Sequence, residues 1–187
     1  MKGFGSHKKS KNKKVNNLRE DNLKKQIIYK AFKYHSEGNI AEATTYYQSF
    51  IKQGFKDFRV FSNYGFILIG LGKLKEAELL YRKAIALNPD YANAHLNLGN
   101  ILKDLGKFKE AELLYRKAIT LNPNFAEAYY NLGNILIGLG KLKEAELLYR
   151  KAIALNPDYA NAHLNLGNIL KDLGKLKEAE VSLRKAI

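Results

Sequence analysis

The chain has 187 residues, 46% of them hydrophobic, and carries 32 Lys or Arg against 18 Asp or Glu, a net charge of +14. With no cysteine it has no disulfide and no thiolate metal site, and its longest apolar run, eight residues from Gly65 to Gly72, falls far below the roughly 20 needed to span a bilayer. The N-terminus lacks an apolar stretch for a secretory signal, and Lys2 follows Met1 where myristoylation needs Gly, so a cytoplasmic location is expected.

Residues 1–20 hold seven Lys or Arg against Glu20, six of the fourteen surplus charges. The run His7-Lys8-Lys9-Ser10-Lys11-Asn12-Lys13-Lys14 has no apolar periodicity and reads as a disordered basic arm. Its alternatives are a solubilising tail or a weak contact with a polyanion, nucleic acid or an anionic membrane, through residues 2–19. The arm has no stacking platform for single-stranded nucleic acid, because the aromatic residues belong to a packing pattern further along.

From residue 21 the chain repeats every 34 residues, as units 21–54, 55–88, 89–122, 123–156 and a shorter 157–187. The 41 residues from Ile67 to Lys107 recur letter for letter from Ile135 to Lys175. A fixed period of this length marks a stack of helix-turn-helix units, each covering the apolar face of its neighbour. In the third unit, Tyr91, Ala94, His95, Leu98, Leu102 and Leu105 keep helical spacing over 90–105, and Gly106 is the stop. A second helix is expected over 108–121, burying Phe108, Ala111, Leu114, Tyr115 and Ala118. Pro89, Pro123 and Pro157 each mark a junction between units, where proline suits the first turn of a new helix.

The spacing resembles the tetratricopeptide (TPR) signature of an aromatic, Leu-Gly, a large residue, Ala, an aromatic and Pro. The fourth unit supplies it as Tyr129, Leu132-Gly133, Leu136, Ala145, Tyr149 and Pro157, and the third as His95, Leu98-Gly99, Leu102, Ala111, Tyr115 and Pro123. The second reads Phe61, Tyr64-Gly65, Leu68, Ala77, Tyr81 and Pro89. Over residues 21–187 the resemblance implies an all-α, right-handed superhelical solenoid of five helix-turn-helix repeats, the last incomplete. The end units depart from the signature. The first has Ile27, Lys30-Ala31 and Phe55 in place of the leading aromatic, Leu-Gly and Pro, and the last has Leu183 for the second aromatic. Ser182 replaces Leu80, Leu114 and Leu148 there and is expected to soften an exposed edge. Leu176, Val181 and Leu183 are expected to leave an apolar C-terminal edge open to self-association.

Glu78 and Arg82, Glu112 and Arg116, Glu146 and Arg150, and Glu180 and Arg184 are four apart, as expected of a solvated helix face. Lys73, Lys107, Lys141 and Lys175 follow the helix-ending glycines, where a cation suits the carbonyl end of the helix dipole. No catalytic constellation emerges. His95 and His163 occupy the leading aromatic slot and read as core, and the Gly-Leu-Gly-Lys runs at 70–73 and 138–141 lack Walker spacing. Neither an enzyme, a cofactor nor a metal site is expected.

Asparagine is the recurring polar feature. Asn63, Asn97, Asn131 and Asn165 stand once per unit, Asn100, Asn134 and Asn168 three residues later, and Asn93 and Asn161 four before. The ladder resembles that of O-linked N-acetylglucosamine transferases, and the resemblance places it in a concave groove lined by first helices, where an amide can grip the backbone of an extended polypeptide. Tyr130, Lys103 and Lys171 complete the expected groove; bonding between neighbouring helices is the competing role for the asparagines. At the end of the first helix Lys103-Asp104 and Lys171-Asp172 alternate with Ile69-Gly70 and Ile137-Gly138. Ser62, Leu96, Tyr130 and Leu164 stand where chaperone-binding relatives need Lys, so a chaperone tail is not the expected ligand. The reading is a non-catalytic protein-interaction scaffold binding an extended protein or peptide. Its alternatives are the substrate-presenting part of a larger glycosyl- or methyl-transferring enzyme, and attachment to nucleic acid or anionic membrane through the arm.

Overall fold

The computed structural model describes residues 4–186, with side chains from residue 16 onward. Ten helices follow one another, α1 (Phe4–Ser36), α2 (Ile40–Lys52), α3 (Phe58–Gly70), α4 (Leu74–Leu87), α5 (Ala92–Asp104), α6 (Phe108–Leu121), α7 (Ala126–Gly138), α8 (Leu142–Leu155), α9 (Ala160–Asp172) and α10 (Leu176–Arg184). They pair as helix hairpins, the second helix of each unit packs on the first of the next, and α5 also meets α3 and α7. That approach sets the first helices on the inner side of the solenoid and the second helices on the outer side.

The backbone is helical from Phe4, with no break at residue 20 where a disordered arm was expected to end. Lys, Arg, Leu and Glu are all good helix formers, and nothing between Gly5 and Gly38 is Gly or Pro, so the first helix runs on without apolar periodicity to support it. Residues 16–20 are exposed along this extension. Residues 1–3 and the side chains up to residue 15, with six of the arm's seven cationic groups, lie outside what is described, as does Ile187.

Two kinds of stop set the 34-residue period. After each first helix a glycine turns left-handed, as Gly106 does at φ 74°; its N–H bonds Lys103 O at 2.9 Å and that of Lys107 bonds Leu102 O at 2.8 Å. This is the paired closure of a glycine helix terminus, repeated at Gly38, Gly72, Gly140 and Gly174. After the second helix, Asn88, Asn122 and Asn156 leave the helical region at φ between −136° and −139°, as a residue before proline must. The prolines therefore stand in the turn, three residues ahead of the next helix, and not in its first turn. There Pro89 O and Pro157 O accept from His95 Nε2 and His163 Nε2, both at 2.8 Å, tying each junction to the helix it starts. The first unit, with Phe55 for proline, ends its second helix with the glycine device instead, at Gly54.

The core is one continuous stack. Its largest fully buried side chains are Tyr47, Tyr81, Tyr115 and Tyr149, one for each of the first four units. Each of the last three lies flat on the glycine of its partner helix: a Cβ on Gly65, Gly99 or Gly133 would come within 2.9, 2.7 or 2.8 Å of the ring. The Leu-Gly and aromatic positions of the signature are thus the two halves of one contact. Two expectations about packing do not hold. Phe108, at the first turn of α6, is 52% exposed, although Leu74 and Leu142 at the same repeat position are half-buried against the core. Ser182 is buried, and a cleft of about 530 Å³ bounded by α8, α9 and α10 lies beside it where sister units have leucine.

Candidate functional site

Four asparagines of the inner helices bond to one another in pairs and to the tyrosines beside them. In the third and fourth units Tyr115 Oη donates to Asn100 Oδ1 at 2.8 Å, and Asn131 Nδ2, from the following unit, donates to the same oxygen at 2.9 Å. One unit on, Tyr149 Oη and Asn165 Nδ2 meet on Asn134 Oδ1 at 2.7 and 2.9 Å. Each rung therefore joins the buried tyrosine of one unit to the first helix of the next. Burial raises the pKa of both tyrosine hydroxyls, so they stay protonated and act as donors.

Of the groove residues expected from sequence, Asn131 is buried and its amide is engaged in the rung; Asn63, Asn97, Asn100, Asn134, Asn165, Tyr130 and Lys103 are half-buried. Asn93, Asn161, Asn168 and Lys171 are exposed. Asn100 Nδ2 also reaches Glu127 Oε1 at 3.3 Å, and Lys103 pairs with Asp104 at 3.6 Å. A notch of about 180 Å³ opens between Lys103, Phe108, Asn134 and Gly138.

At the other end the ladder gives way to aromatics, which the sequence reading passed over. Phe66 stands at the repeat position of Asn100, Asn134 and Asn168, and is 60% exposed. Without that acceptor the Tyr81 hydroxyl is buried and unpartnered; Ser62 and Asn97 flank it outside hydrogen-bonding geometry. In the first unit Phe32 takes the same position, and His35 Nδ1 pairs with Tyr47 Oη at 3.0 Å. Burial raises the Tyr47 pKa to about 12 and lowers that of His35. Tyr29, 68% exposed, and half-buried Ile28 and Phe32 line a depression with Lys25, Lys33 and Arg59 at its margin. The Arg59 guanidinium lies 5.7 Å from the Phe32 ring centre while bonding Asp57 through two nitrogens. Aligning the units column by column exposes the signal, an aromatic in an asparagine column.

On the outer face the charged residues link units as well as turns. Arg82 pairs with Glu78 in its own helix and with Glu110 of the next unit at 3.2 Å, and Lys107 reaches back to Glu78 at 3.4 Å. Glu146, buried, is held by Arg150 and by Lys175 of the following unit, both at 2.9 Å. Lys107 and Lys175 thus act on carboxylates of the preceding unit, beyond the dipole role read from sequence. Hydrogen bonds from Arg82 to Glu78 and from Lys175 to Glu146 hold both carboxyls below their ordinary pKa. Among the described residues no cluster of three or more metal-ligating side chains occurs, and no helix is long and apolar enough to cross a membrane.

No curated protein sequence matches the chain significantly. The crystal structure of MamA is similar at 24% identity and a TM-score of 0.75, over 83% of this chain and 91% of that one. MamA from residue 41 to its end, from Desulfovibrio magneticus RS-1, is similar at 23% and 0.76 over 87% and 92%, and pilF of Pseudomonas aeruginosa at 20% and 0.76 over 89% and 76%. Likeness at these identities establishes the fold alone. The TPR repeat family matches residues 65–106, 99–140 and 133–174, more than half of the chain, in the units where Gly–Tyr packing and the asparagine rungs were found; the chain belongs to the TPR repeat family.

Proposed function

We propose that this array is a non-catalytic scaffold that holds an extended segment of another protein along its inner face, with an apolar anchor of that segment seated on the first two units. TPR repeats are a fold typical of protein–protein interaction. The observation that carries the more specific reading is Phe66. Placing it in an asparagine column exposes a phenyl ring and orphans the Tyr81 hydroxyl, and both changes disfavour the fold. Contact with a ligand gives that arrangement a use. Tyr29 and Phe32 extend the apolar surface, and Lys25, Lys33 and Arg59 make its margin cationic, so the favoured segment combines one large apolar side chain with acidic neighbours. Beyond the anchor, successive first helices at roughly 10 Å and an extended chain at about 3.3 Å per residue give about three ligand residues to each unit. Asn93, Asn161, Asn168 and Lys171 present the exposed polar groups along that path.

Selection of a random peptide phage library on the full chain should enrich segments that pair an aromatic or leucine with Asp or Glu. Phe66→Asn should weaken the enriched peptides about tenfold or more, the value of one buried aromatic anchor. The same variant should melt slightly higher, because the new amide supplies Tyr81 with an acceptor. Failure to enrich any peptide, or enriched peptides indifferent to Phe66→Asn, would overturn the reading.

A further inference from the structure

The second helices carry a pattern that the packing of the array does not use. Leu79 in α4, Leu113 in α6, Leu147 in α8 and Val181 in α10 are 55%, 69%, 68% and 58% exposed. Each lies on the side of its helix opposite the buried Ala and Tyr or Leu positions, the outermost line of the unit. One turn to either side stands a lysine, as Lys75 and Lys83, Lys109 and Lys117, Lys143 and Lys151, and Lys177 and Lys185, all exposed. Stacking in register turns these into three parallel rows, one apolar between two cationic, with one column to each second helix.

Among the described residues none of these eight lysines has a carboxylate within ion-pair distance; Lys83 has the Phe61 ring, 5.9 Å from its Nζ. The nearby carboxylates are taken by other cations: Glu78 and Glu110 by Arg82, Glu112 and Glu144 by Arg116, Glu146 and Glu178 by Arg150. The outer face has sorted its cations, with most of its arginines in discrete pairs and these lysines free. Arginine is the better partner for a discrete carboxylate, whereas lysine, a flexible point charge whose stem can lie along apolar surface, suits a diffuse field of negative charge. A diffuse anionic field over an apolar layer is what a bilayer rich in acidic lipid offers.

We infer that the outer face of the second helices is an attachment surface for anionic phospholipid bilayers, with the leucine row entering the headgroup layer and the two lysine rows holding it there. The attachment is peripheral and leaves the inner face free. Because the outer side is the spread side of the solenoid, a flat surface meets neighbouring columns before distant ones, and the central columns of α6 and α8 contribute most.

The test is co-sedimentation of the full chain with vesicles of phosphatidylcholine alone and with about a third phosphatidylserine. Binding is expected only to the second kind. Replacing Lys109, Lys117, Lys143 and Lys151 by Gln should weaken it on the order of tenfold or more, from the attraction each lysine adds near an anionic surface. Leu113→Gln with Leu147→Gln should weaken it about fivefold at unchanged charge. Both variants should keep the parent melting curve, since these side chains are exposed. Replacing Lys8, Lys9, Lys11, Lys13 and Lys14 by Gln separates this surface from the basic N-terminal stretch. The inference is overturned if anionic vesicles are not bound, if only the N-terminal substitutions abolish binding, or if the leucine pair is without effect and duplex DNA binds as well as vesicles.

Discussion

A single asparagine shows how far identical letters can differ in what they do. Asn100 and Asn168 occupy the same repeat position, but Asn100 Oδ1 receives two hydrogen bonds, from Tyr115 and Asn131, whereas Asn168 is exposed and Leu183 stands where its tyrosine would be. Asn100→Ala strands a buried hydroxyl and the buried amide of Asn131, at about 1–3 kcal/mol each, so a loss of about 2–6 kcal/mol is expected. Asn168→Ala removes no hydrogen bond, and its effect should stay within about 0.5 kcal/mol. Urea titration followed by circular dichroism measures both; equal losses would mean that the rungs carry no stability. The column of asparagines was legible in the sequence, but its division into paired and unpaired members was not, because that depends on a tyrosine fifteen residues away and an amide one unit on.

At the scale of helices, the outer carboxylates bind second helix to second helix, and their stability contribution depends on pH with a definite sign. Glu78 and Glu146 titrate below their ordinary value in the folded chain, so protonation favours the unfolded state, and the stability they lend is present above the unfolded pKa and lost as pH falls through the folded one. Melting temperature should therefore decline from about pH 5 toward pH 3, and Glu146→Gln should flatten that decline while lowering the plateau at neutral pH. An unchanged acid limb in the variant would remove Glu146 from the account. The four-residue Glu and Arg spacing made the pairs within a helix readable in sequence. The links across units, such as Lys175 to Glu146, were not, since they join residues 29 apart whose proximity only stacking creates. Helix ends were legible wherever a glycine or a pre-proline asparagine fixed them. The N-terminal extension of α1 was not, because residues 4–20 have helix propensity without the apolar periodicity that usually reveals a helix.

Across the whole molecule the internal likeness of the units conceals an uneven set of joints. Asparagine rungs cross from the third unit to the fourth and from the fourth to the fifth. Gln48 Nε2 donates to Tyr64 Oη at 3.0 Å across the first joint, where Tyr47 and Tyr64 also stack. The second joint, at Phe66 and Tyr81, has no rung on its inner side; the outer Arg82–Glu110 and Lys107–Glu78 pairs and the contact of Phe58 on Tyr91 span it, beside packing of α4 on α5 as close as at the later joints. In mechanical terms the solenoid is a spring whose soft coil is the first joint, where α2 and α3 meet over the smallest packed area between successive units. Stretched from its ends in an optical trap, it should yield first between residues 52 and 58, releasing unit one from units two to five. Phe66→Asn, by giving the second joint its rung, should leave the force of this first event unchanged and raise that of a later one. A soft coil beside an exposed aromatic anchor also means that tension along the array would widen the inner face where a bound segment is gripped, so a load on the scaffold becomes a signal to let its partner go.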